Sequence, residues 1–222
     1  MDPPLNVDFW TTFYRADEDP DSTYESVLAT HTSPVARAAA LWDWKNLSRG
    51  VPFEAVREAL ERFDFETYCS EDPATAVSTL GDHLVEHGAL ANTTVVTPAF
   101  VLHLAASDPN EYAVKFPIFD VRVWTAYVYL SGRRTGDSRL PAGATNSPRK
   151  YGEFVDFFAE TIPSDTGGRV YKRALFRFGA YISRVPATTV AEIDTHLAML
   201  GSVISSYQPE SQQPLDSPTY RE

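Results

Sequence analysis

The stretch KFPIFDVRVWTAYVYL, residues 115–130, decides between a helical and a mixed fold. Its second half, from Val121 to Leu130, is rich in β-branched and aromatic residues, for which local propensity alone predicts a strand. Asp120 stands directly before it, and an aspartate in that position caps a helix by accepting a hydrogen bond from an unpaired backbone N–H. Because context overrides propensity, we predict a helix over 121–130 that is capped by Asp120.

Helix starts are marked elsewhere by a capping residue followed by proline, whose missing N–H has no partner at the first helical position anyway. These pairs are Ser33-Pro34, Asp72-Pro73, Thr97-Pro98, Asp108-Pro109 and Ser147-Pro148. Apolar residues at helical spacing predict helices over 34–47, 52–63, 73–87, 98–106, 148–161 and 170–182, and a last helix opened by Thr188 or Thr189. The expected fold class is therefore all-α, mostly helical.

A length of 222 residues fits one domain. We expect residues 26–206 to form a single helical domain and residues 1–25 to form an acidic, partly ordered segment. Residues 207–222 have the composition of a disordered tail. Within the domain, residues 131–147 (SGRRTGDSRLPAGATNS) are predicted to be a polar, glycine-rich loop.

The net charge of −11 conceals a basic half of the chain. Between Lys115 and Arg184 there are 12 lysines and arginines against 6 aspartates and glutamates. Phosphate binding depends on local potential, because charges are screened beyond about 8 Å at physiological salt. The stretch is therefore either a basic face that holds DNA or a solvated surface on which both signs mix.

Several classes of protein and site are excluded by what the sequence lacks. One cysteine, Cys69, rules out a disulfide framework, a cysteine-ligated zinc site and an iron–sulfur cluster, and it fits a reducing, cytoplasmic setting. No apolar run approaches 18 residues, so we expect no membrane partner. His83 and His87 have the spacing of a metal pair but lack a third ligand, and glycine-rich phosphate loops are absent. We expect neither a metal nor a cofactor, and a monomeric protein.

A predicted helical hairpin precedes Asp120. Its turn runs from Gly88 to Thr94, and the polar residues Asn92, Thr93 and Thr94 are candidates for binding a phosphate, since free backbone N–H groups at such turns bind anions. The carboxylate that follows lies at a helix N-terminus, where the helix dipole favours its charge. An ionised carboxylate beside an anomeric carbon stabilises an oxocarbenium-like transition state or activates a water.

This order of elements resembles a known family. Pro117-Ile-Phe-Asp120-Val-Arg-Val-Trp124 after a hairpin is similar to the Pro/Asp signature of the helix–hairpin–helix DNA glycosylase superfamily, in particular to bacterial proteins with an 8-oxoguanine DNA glycosylase-like fold. Three further segments fit that group: Trp44-Lys45-Asn46, Tyr151-Gly152-Glu153-Phe154 and Tyr171-Lys-Arg-Ala-Leu-Phe-Arg-Phe-Gly179. The resemblance implies an all-helical fold, extrusion of one nucleotide from double-stranded DNA, and hydrolysis of its N-glycosidic bond with Asp120 as the catalytic residue.

Two departures from the family shape the expected activity. The turn lacks the usual Gly-x-Gly, and the helix after it begins Thr97-Pro98-Ala99-Phe100, without the lysine nucleophile of bifunctional members. We therefore expect a monofunctional enzyme that activates water and leaves an abasic site. Relatives with this domain are associated with bacterial defence, so the base is either damaged or a modified base of phage DNA. A DNA-binding module without catalysis and a helical protein-interaction domain remain alternatives.

The candidate site residues follow from charge, aromaticity and position. Candidates for DNA binding are Lys45, Asn46, Asn92, Thr93, Thr94, Lys115, Arg122, Arg133, Arg134, Arg149, Lys150, Lys172, Arg173 and Arg177. Candidates for a base pocket are Trp42, Trp44, Trp124 and Tyr127, because aromatic rings stack on an extruded base. Each has a structural alternative: the aromatic residues as core, Asp120 as a plain helix cap, and the cations as a solvated helix edge.

Overall fold

The structure is a computed structural model that describes residues 5–13, 21–107, 115–135, 139–141, 143–163 and 166–206. The helices in these ranges are α1 (Val7–Thr12), α2 (Asp21–Thr30), α3 (Pro34–Leu41), α4 (Phe53–Glu61), α5 (Phe65–Tyr68), α6 (Pro73–Glu86), α7 (Val96–Ala106), α8 (Val121–Thr135), α9 (Pro148–Thr161), α10 (Gly168–Ile182) and α11 (Val190–Ser206), with a 3₁₀ turn at Leu47–Arg49. Over the same residues the β-structure amounts to one isolated bridge between Arg139 and Thr189. The all-α expectation is confirmed.

Most of the predicted helix starts are confirmed. Ser33, Asp72 and Ser147 are N-cap residues, and the carboxylate of Asp72 accepts hydrogen bonds from two backbone N–H groups of α6. Helix α7 begins at Val96, slightly before the predicted start at Pro98. The pair Asp108-Pro109 lies outside the described residues.

Two predicted boundaries are wrong. The helix expected over 34–47 ends at Leu41, and turns lead from there to the left-handed residue Asn46. The loop expected over 131–147 begins too early, because α8 continues through Ser131 to Thr135. The apolar and aromatic residues that predict α8 end at Leu130. The last turn of the helix, which follows Leu130, is polar, so the same pattern does not reveal it.

Helix α8 forms despite its strand-like composition because its first turn is capped and its aromatic side chains pack against neighbouring helices. Asp120 caps its first turn, accepting hydrogen bonds from the backbone nitrogens of Arg122 and Val123 at 2.9 Å each. Its aromatic side chains pack against neighbouring helices, for example Tyr129 against Phe178 of α10. Burial of such rings outweighs a propensity difference of a few tenths of a kcal/mol per residue.

Helix α8 lies between its two main neighbours, α10 and α9, and α9 packs in turn on α6. Helix α1 lies within the expected acidic segment 1–25 and packs Trp10 against Phe178 and Tyr181 of α10, so part of that segment belongs to the core. Residues 1–4, 14–20 and the expected tail 207–222 lie outside the described residues. Every described helix is too short or too polar to span a bilayer.

Candidate active site

A cleft of about 700 Å³ opens where the N-terminus of α8, the turn after α3 and one face of α10 meet. We call it the cationic cleft. Its charged lining consists of Lys45, Asp120, Arg122, Lys172, Arg173, Arg177 and Arg184. Among the described residues that line it, six are therefore cationic and Asp120 is the one carboxylate. Five of the 12 cations between Lys115 and Arg184 thus line one concave surface together with the candidate catalytic residue.

The two carboxylate oxygens of Asp120 have different partners. Oδ1 accepts the hydrogen bonds that cap α8, whereas Oδ2 lies 3.3 Å from Nζ of Lys45. The side chains of Lys45 and Asp120 are 10% and 22% exposed, so the pair is shielded but still borders the cleft. Asp120 is both a helix cap and a cleft residue, as the two interpretations of the sequence allowed. Its Oδ2 is the oxygen that does not cap α8.

The segment Trp44-Lys45-Asn46 lies in the turn after α3, where each residue has a different contact. Trp44 packs its ring at 5.4 Å from Tyr24 and at 6.4 Å from Phe100 and still borders the cleft. Asn46 has a φ of 65°, a left-handed conformation that asparagine tolerates better than most residues. Between them, Lys45 reaches Asp120, which lies 75 residues away in the sequence.

The irregular segment 115–119 is held by two buried side chains. Nδ1 of His103 donates a hydrogen bond to the carbonyl oxygen of Phe116 at 2.7 Å, and the hydroxyl of Tyr151 donates one to the carbonyl oxygen of Pro117 at 3.2 Å. Burial, together with the nearby positive charge of Lys172, lowers the pKa of His103 to about 3. His103 is therefore neutral at pH 7, which leaves its Nε2 to bond with the hydroxyl of Tyr24. These bonds fix the chain directly before Asp120.

Aromatic and cationic side chains meet at Phe176 in the cleft. The guanidinium of Arg122 lies 4.7 Å from the ring centre of Phe176, and that of Arg177 lies 5.8 Å from it. Guanidinium groups in this position are attracted by the ring quadrupole. Phe176 thereby holds two cations from different helices at one place in the cleft.

Three of the four residues predicted to form a base pocket do not line the cleft. Trp42 is 1% exposed and donates its indole N–H to the carbonyl oxygen of Val51. Trp124 is buried against Phe119, and Tyr127 packs on Phe157 of α9. Only Trp44 of the four borders the cleft in the described structure. Trp42 and Trp124 are therefore core residues, as the alternative interpretation has it, and Tyr127 is half-buried against the core.

The predicted DNA-binding residues divide into two groups. Lys45, Asn46, Arg122, Lys172, Arg173 and Arg177 line the cleft. The other described candidates do not line it. Lys115 donates to the carbonyl oxygen of Cys69 at 2.8 Å, Arg149 pairs with Glu153, and Lys150 is exposed on α9. Asn92, Thr93 and Thr94 lie in the turn before α7, of which Val96 is the residue that lines the cleft. The side chains of Arg133 and Arg134 fall outside the described part of the structure.

Arg184 and Phe176 line the cleft and were not among the predicted site residues. A signal for them is present in the sequence, because Lys172, Phe176, Ala180 and Arg184 repeat every four residues and so share one helix face. The DNA-binding candidates predicted on this helix end at Arg177. Arg184 follows the last residue of α10, Ile182, at the end of this row.

His83 and His87 contact each other rather than a shared ligand. Their ring centres are 4.1 Å apart, and each ring bonds to a backbone carbonyl oxygen, of Ala59 and of His83 respectively. No group of three metal-ligating side chains occurs among the residues that the structure describes. Burial raises the pKa of the Cys69 thiol.

Comparisons of the chain with protein-family models, with curated proteins and with solved structures found no match.

Proposed function

We propose that this protein is a monofunctional DNA N-glycosylase that hydrolyses the bond between a modified or damaged base and its deoxyribose. One observation carries the proposal: the carboxylate of Asp120 is anchored at the N-terminus of α8 and borders a cleft lined by six cations. A lone carboxylate suits a developing sugar cation, and surrounding cations suit phosphates. The resemblance of segments 117–124, 44–46, 151–154 and 171–179 to helix–hairpin–helix glycosylases supports the same activity.

In the proposed reaction, the N-glycosidic bond breaks and its electron pair leaves with the base. Positive charge then develops at C1′, where Oδ2 of Asp120 stabilises it. A water adds its oxygen to C1′ and gives up a proton, for which Asp120 is the acceptor. The departed base takes up a proton from solvent and Asp120 gives its own proton back to solvent. The products are a free base and an abasic site, and no enzyme amine forms a covalent bond to C1′.

Lys45 and Arg122 supply the complementary charge. Both line the cleft together with Asp120, and Nζ of Lys45 lies 3.3 Å from Oδ2. Negative charge builds up on the departing base, and cations near it lower the barrier. Lys45 is a positioning residue in this scheme because it orients the oxygen that faces C1′.

The substrate base is proposed to be one that aromatic rings and cations both recognise. Trp44 and Phe176 are the aromatic residues that line the described cleft, and Arg122 lies over Phe176. Modified bases of phage DNA and damaged bases both fit this chemistry. A role in antiviral defence would follow from the first.

The test is incubation of the protein with a panel of genomic DNAs, including phage DNA with modified cytosines, followed by an abasic-site endonuclease. We expect strand breaks on one substrate. Asp120→Asn should abolish them while leaving the fold intact, because the asparagine oxygen still caps α8.

The matched control is Asp72→Asn, which removes the same charge from a capping aspartate on α6. Asp72 does not line the cleft, so its variant should keep full activity. Full activity of Asp120→Asn would eliminate the proposed mechanism.

A second candidate is a DNA-binding module that performs no chemistry. The observation in its favour is that Oδ2 of Asp120 already has a partner in Lys45. This alternative predicts salt-sensitive DNA binding together with no released base on any DNA of the panel.

A further inference from the structure

Tyr24 of α2 is a buried residue that contacts two of the side chains lining the cationic cleft, although it does not line the cleft itself. The ring centre of Trp44 lies 5.4 Å from that of Tyr24, and Nζ of Lys172 lies 5.5 Å from the centre of the Tyr24 ring. Two aromatic rings attract each other at such a distance, and so do a cation and a ring. One buried ring therefore supports cleft residues from two different elements, the turn after α3 and helix α10.

The hydroxyl of Tyr24 fixes the orientation of this ring. It donates a hydrogen bond to Nε2 of His103, which lies 79 residues away in the sequence. Nδ1 of the same imidazole donates to the carbonyl oxygen of Phe116 at 2.7 Å, so both ring nitrogens of His103 have a partner. The hydroxyl of Ser107 is 3.4 Å from the same Nε2, but it donates its proton to the carbonyl oxygen of His103. Tyr24 is thus the donor that holds this buried nitrogen.

These contacts connect to Asp120 at both of their ends. At one end, the imidazole of His103 bonds to the irregular segment 115–119, which leads directly to Asp120. At the other end, the tyrosine ring packs on Trp44, the neighbour in sequence of Lys45, whose Nζ lies 3.3 Å from Oδ2 of Asp120. Reaction rates depend steeply on the placement of the reacting groups, so a residue that fixes both ends acts on the reaction without touching the substrate.

We propose that Tyr24 is a positioning residue of the cleft. Its ring holds Trp44 and the ammonium of Lys172 in place, and its hydroxyl, through His103, holds the segment that ends at Asp120. The effect on the reaction rests on the proposed function, whereas the effect on the placement of Trp44 does not. The two parts of the side chain are tested separately, because phenylalanine keeps the ring and loses the hydroxyl, whereas leucine loses both.

The first test needs no DNA. The chain contains four tryptophans, so the fluorescence of Trp44 is taken as the difference between a protein and the same protein carrying Trp44→Phe. Tyr24→Leu should shift this emission to longer wavelength, because the half-buried indole loses a neighbouring ring. Tyr24→Met replaces Tyr24→Leu if the leucine variant does not fold, since methionine fills irregular gaps in a core.

The control for the ring is Phe63→Leu. It removes a buried ring that stacks on Tyr68 at 5.0 Å, and Phe63 does not line the cleft. It should leave the emission of Trp44 unchanged. An unshifted emission of Trp44 in the Tyr24 variant would overturn the role of the ring, as would an equal shift in the Phe63 variant.

The second test measures base release from the DNA on which strand breaks reveal the substrate. Tyr24→Phe should lower kcat about tenfold and change KM by less than about twofold, because it loosens the segment before Asp120 but keeps the ring. Tyr24→Leu should lower kcat and raise KM as well. The control is Tyr129→Phe, which removes a hydroxyl that donates to Asp194 and does not line the cleft, and it should leave kcat unchanged. Urea unfolding verifies that each variant is folded.

A double-mutant cycle shows whether the hydroxyl acts through His103. In the His103→Leu background, Tyr24→Phe should lower kcat by less than about twofold, because the bond that it removes is already absent. The same loss of kcat in both backgrounds would overturn the role of the hydroxyl, as would equal losses in Tyr24→Phe and Tyr129→Phe. If no DNA of the panel yields strand breaks, the glycosylase is rejected, and the emission of Trp44 still supports or overturns the role of Tyr24 in holding the cleft.

Discussion

Gly179 of α10 lies against the backbone of Arg122 in the first turn of α8, and there is no room between them for a side chain. A Cβ atom at position 179 would lie 2.6 Å from the carbonyl carbon of Arg122 and would overlap its oxygen. Non-bonded carbons stand about 3.5–4.0 Å apart at their best separation. This glycine therefore lets α10, with its cations Lys172, Arg173 and Arg177, approach the end of α8 that carries Asp120.

Gly179→Ala should disturb the site as well as the fold. The added methyl group meets backbone rather than a flexible side chain, so α8 must move, at a cost of about 1–3 kcal/mol in the free energy of unfolding. We expect abasic-site formation to fall at least tenfold. Urea unfolding and the strand-break assay measure the two effects.

The control for this substitution is Gly201→Ala on α11, where an added Cβ meets nothing within 4 Å. Alanine is favoured over glycine in a helix by about 0.5–1 kcal/mol. Gly201→Ala should therefore keep or raise stability and leave activity unchanged. An unaltered Gly179→Ala protein would show that the close approach is unimportant.

Asp120→Ala and Asp120→Asn should differ in stability but not in activity. Both remove the charge that pairs with Lys45, whereas only alanine removes the oxygen that accepts from Arg122 and Val123. We expect Asp120→Ala to be less stable than Asp120→Asn by about 1 kcal/mol. Equal free energies of unfolding, measured with urea, would contradict the role of Asp120 as a cap.

The buried His103 should make stability depend on pH. Its pKa is about 3 in the folded protein against an ordinary value of 6.5, because burial disfavours the charged ring. The unfolded chain therefore takes up a proton below pH 6.5 that the folded chain refuses. The stabilisation is complete above pH 6.5 and is lost progressively as the pH falls towards 3.

Between pH 7 and pH 5 this difference in protonation costs the native protein about 2 kcal/mol. His103→Gln cannot take up the proton, so its free energy of unfolding should decline by about that much less over the same interval. The comparison holds even when the variant is less stable at pH 7. Parallel declines in the two proteins would show that His103 is protonated in the folded state.

Tyr151→Phe should show whether the bond that holds the segment before Asp120 matters for activity beyond its contribution to the free energy of unfolding. It removes the hydroxyl that donates to the carbonyl of Pro117 and leaves that buried oxygen without this bond, at a cost of about 1–2 kcal/mol. The segment that ends at Asp120 loosens, and activity should fall.

Tyr171→Phe is the matched control, because its hydroxyl donates to Thr161 between α10 and α9, away from residues 115–120. We expect a similar loss of stability, about 1 kcal/mol, with activity retained. If both variants lose activity in proportion to stability, the bond from Tyr151 has no special role in holding the site.

Some parts of the site could be predicted because they follow from local patterns. Asp120 was recognised as a cap from its place before an apolar stretch, and Lys172, Arg173 and Arg177 were recognised as one cationic edge from helical spacing. Both patterns act over one or two turns, and the structure confirms them.

The errors arose where a neighbour decides the outcome. Trp124 and Tyr127 belong to a helix whose aromatic side chains suit either a base or a core, and Tyr127 packs against Phe157 of α9. Trp42 and Trp44 stand two residues apart, yet one is buried and the other borders the cleft. Sequence spacing defines a face but not what lies opposite it.

The amino-acid sequence by itself determined an all-helical chain, the cap at the start of α8 and the clustering of positive charge between residues 115 and 184, since each depends on neighbours within a few residues. Tertiary structure alone decided that Lys45 meets Asp120, that Gly179 meets Arg122 and that His103 supports Phe116. Those contacts join distant helices, and their geometry comes from how the helices pack, which no local pattern of residues specifies.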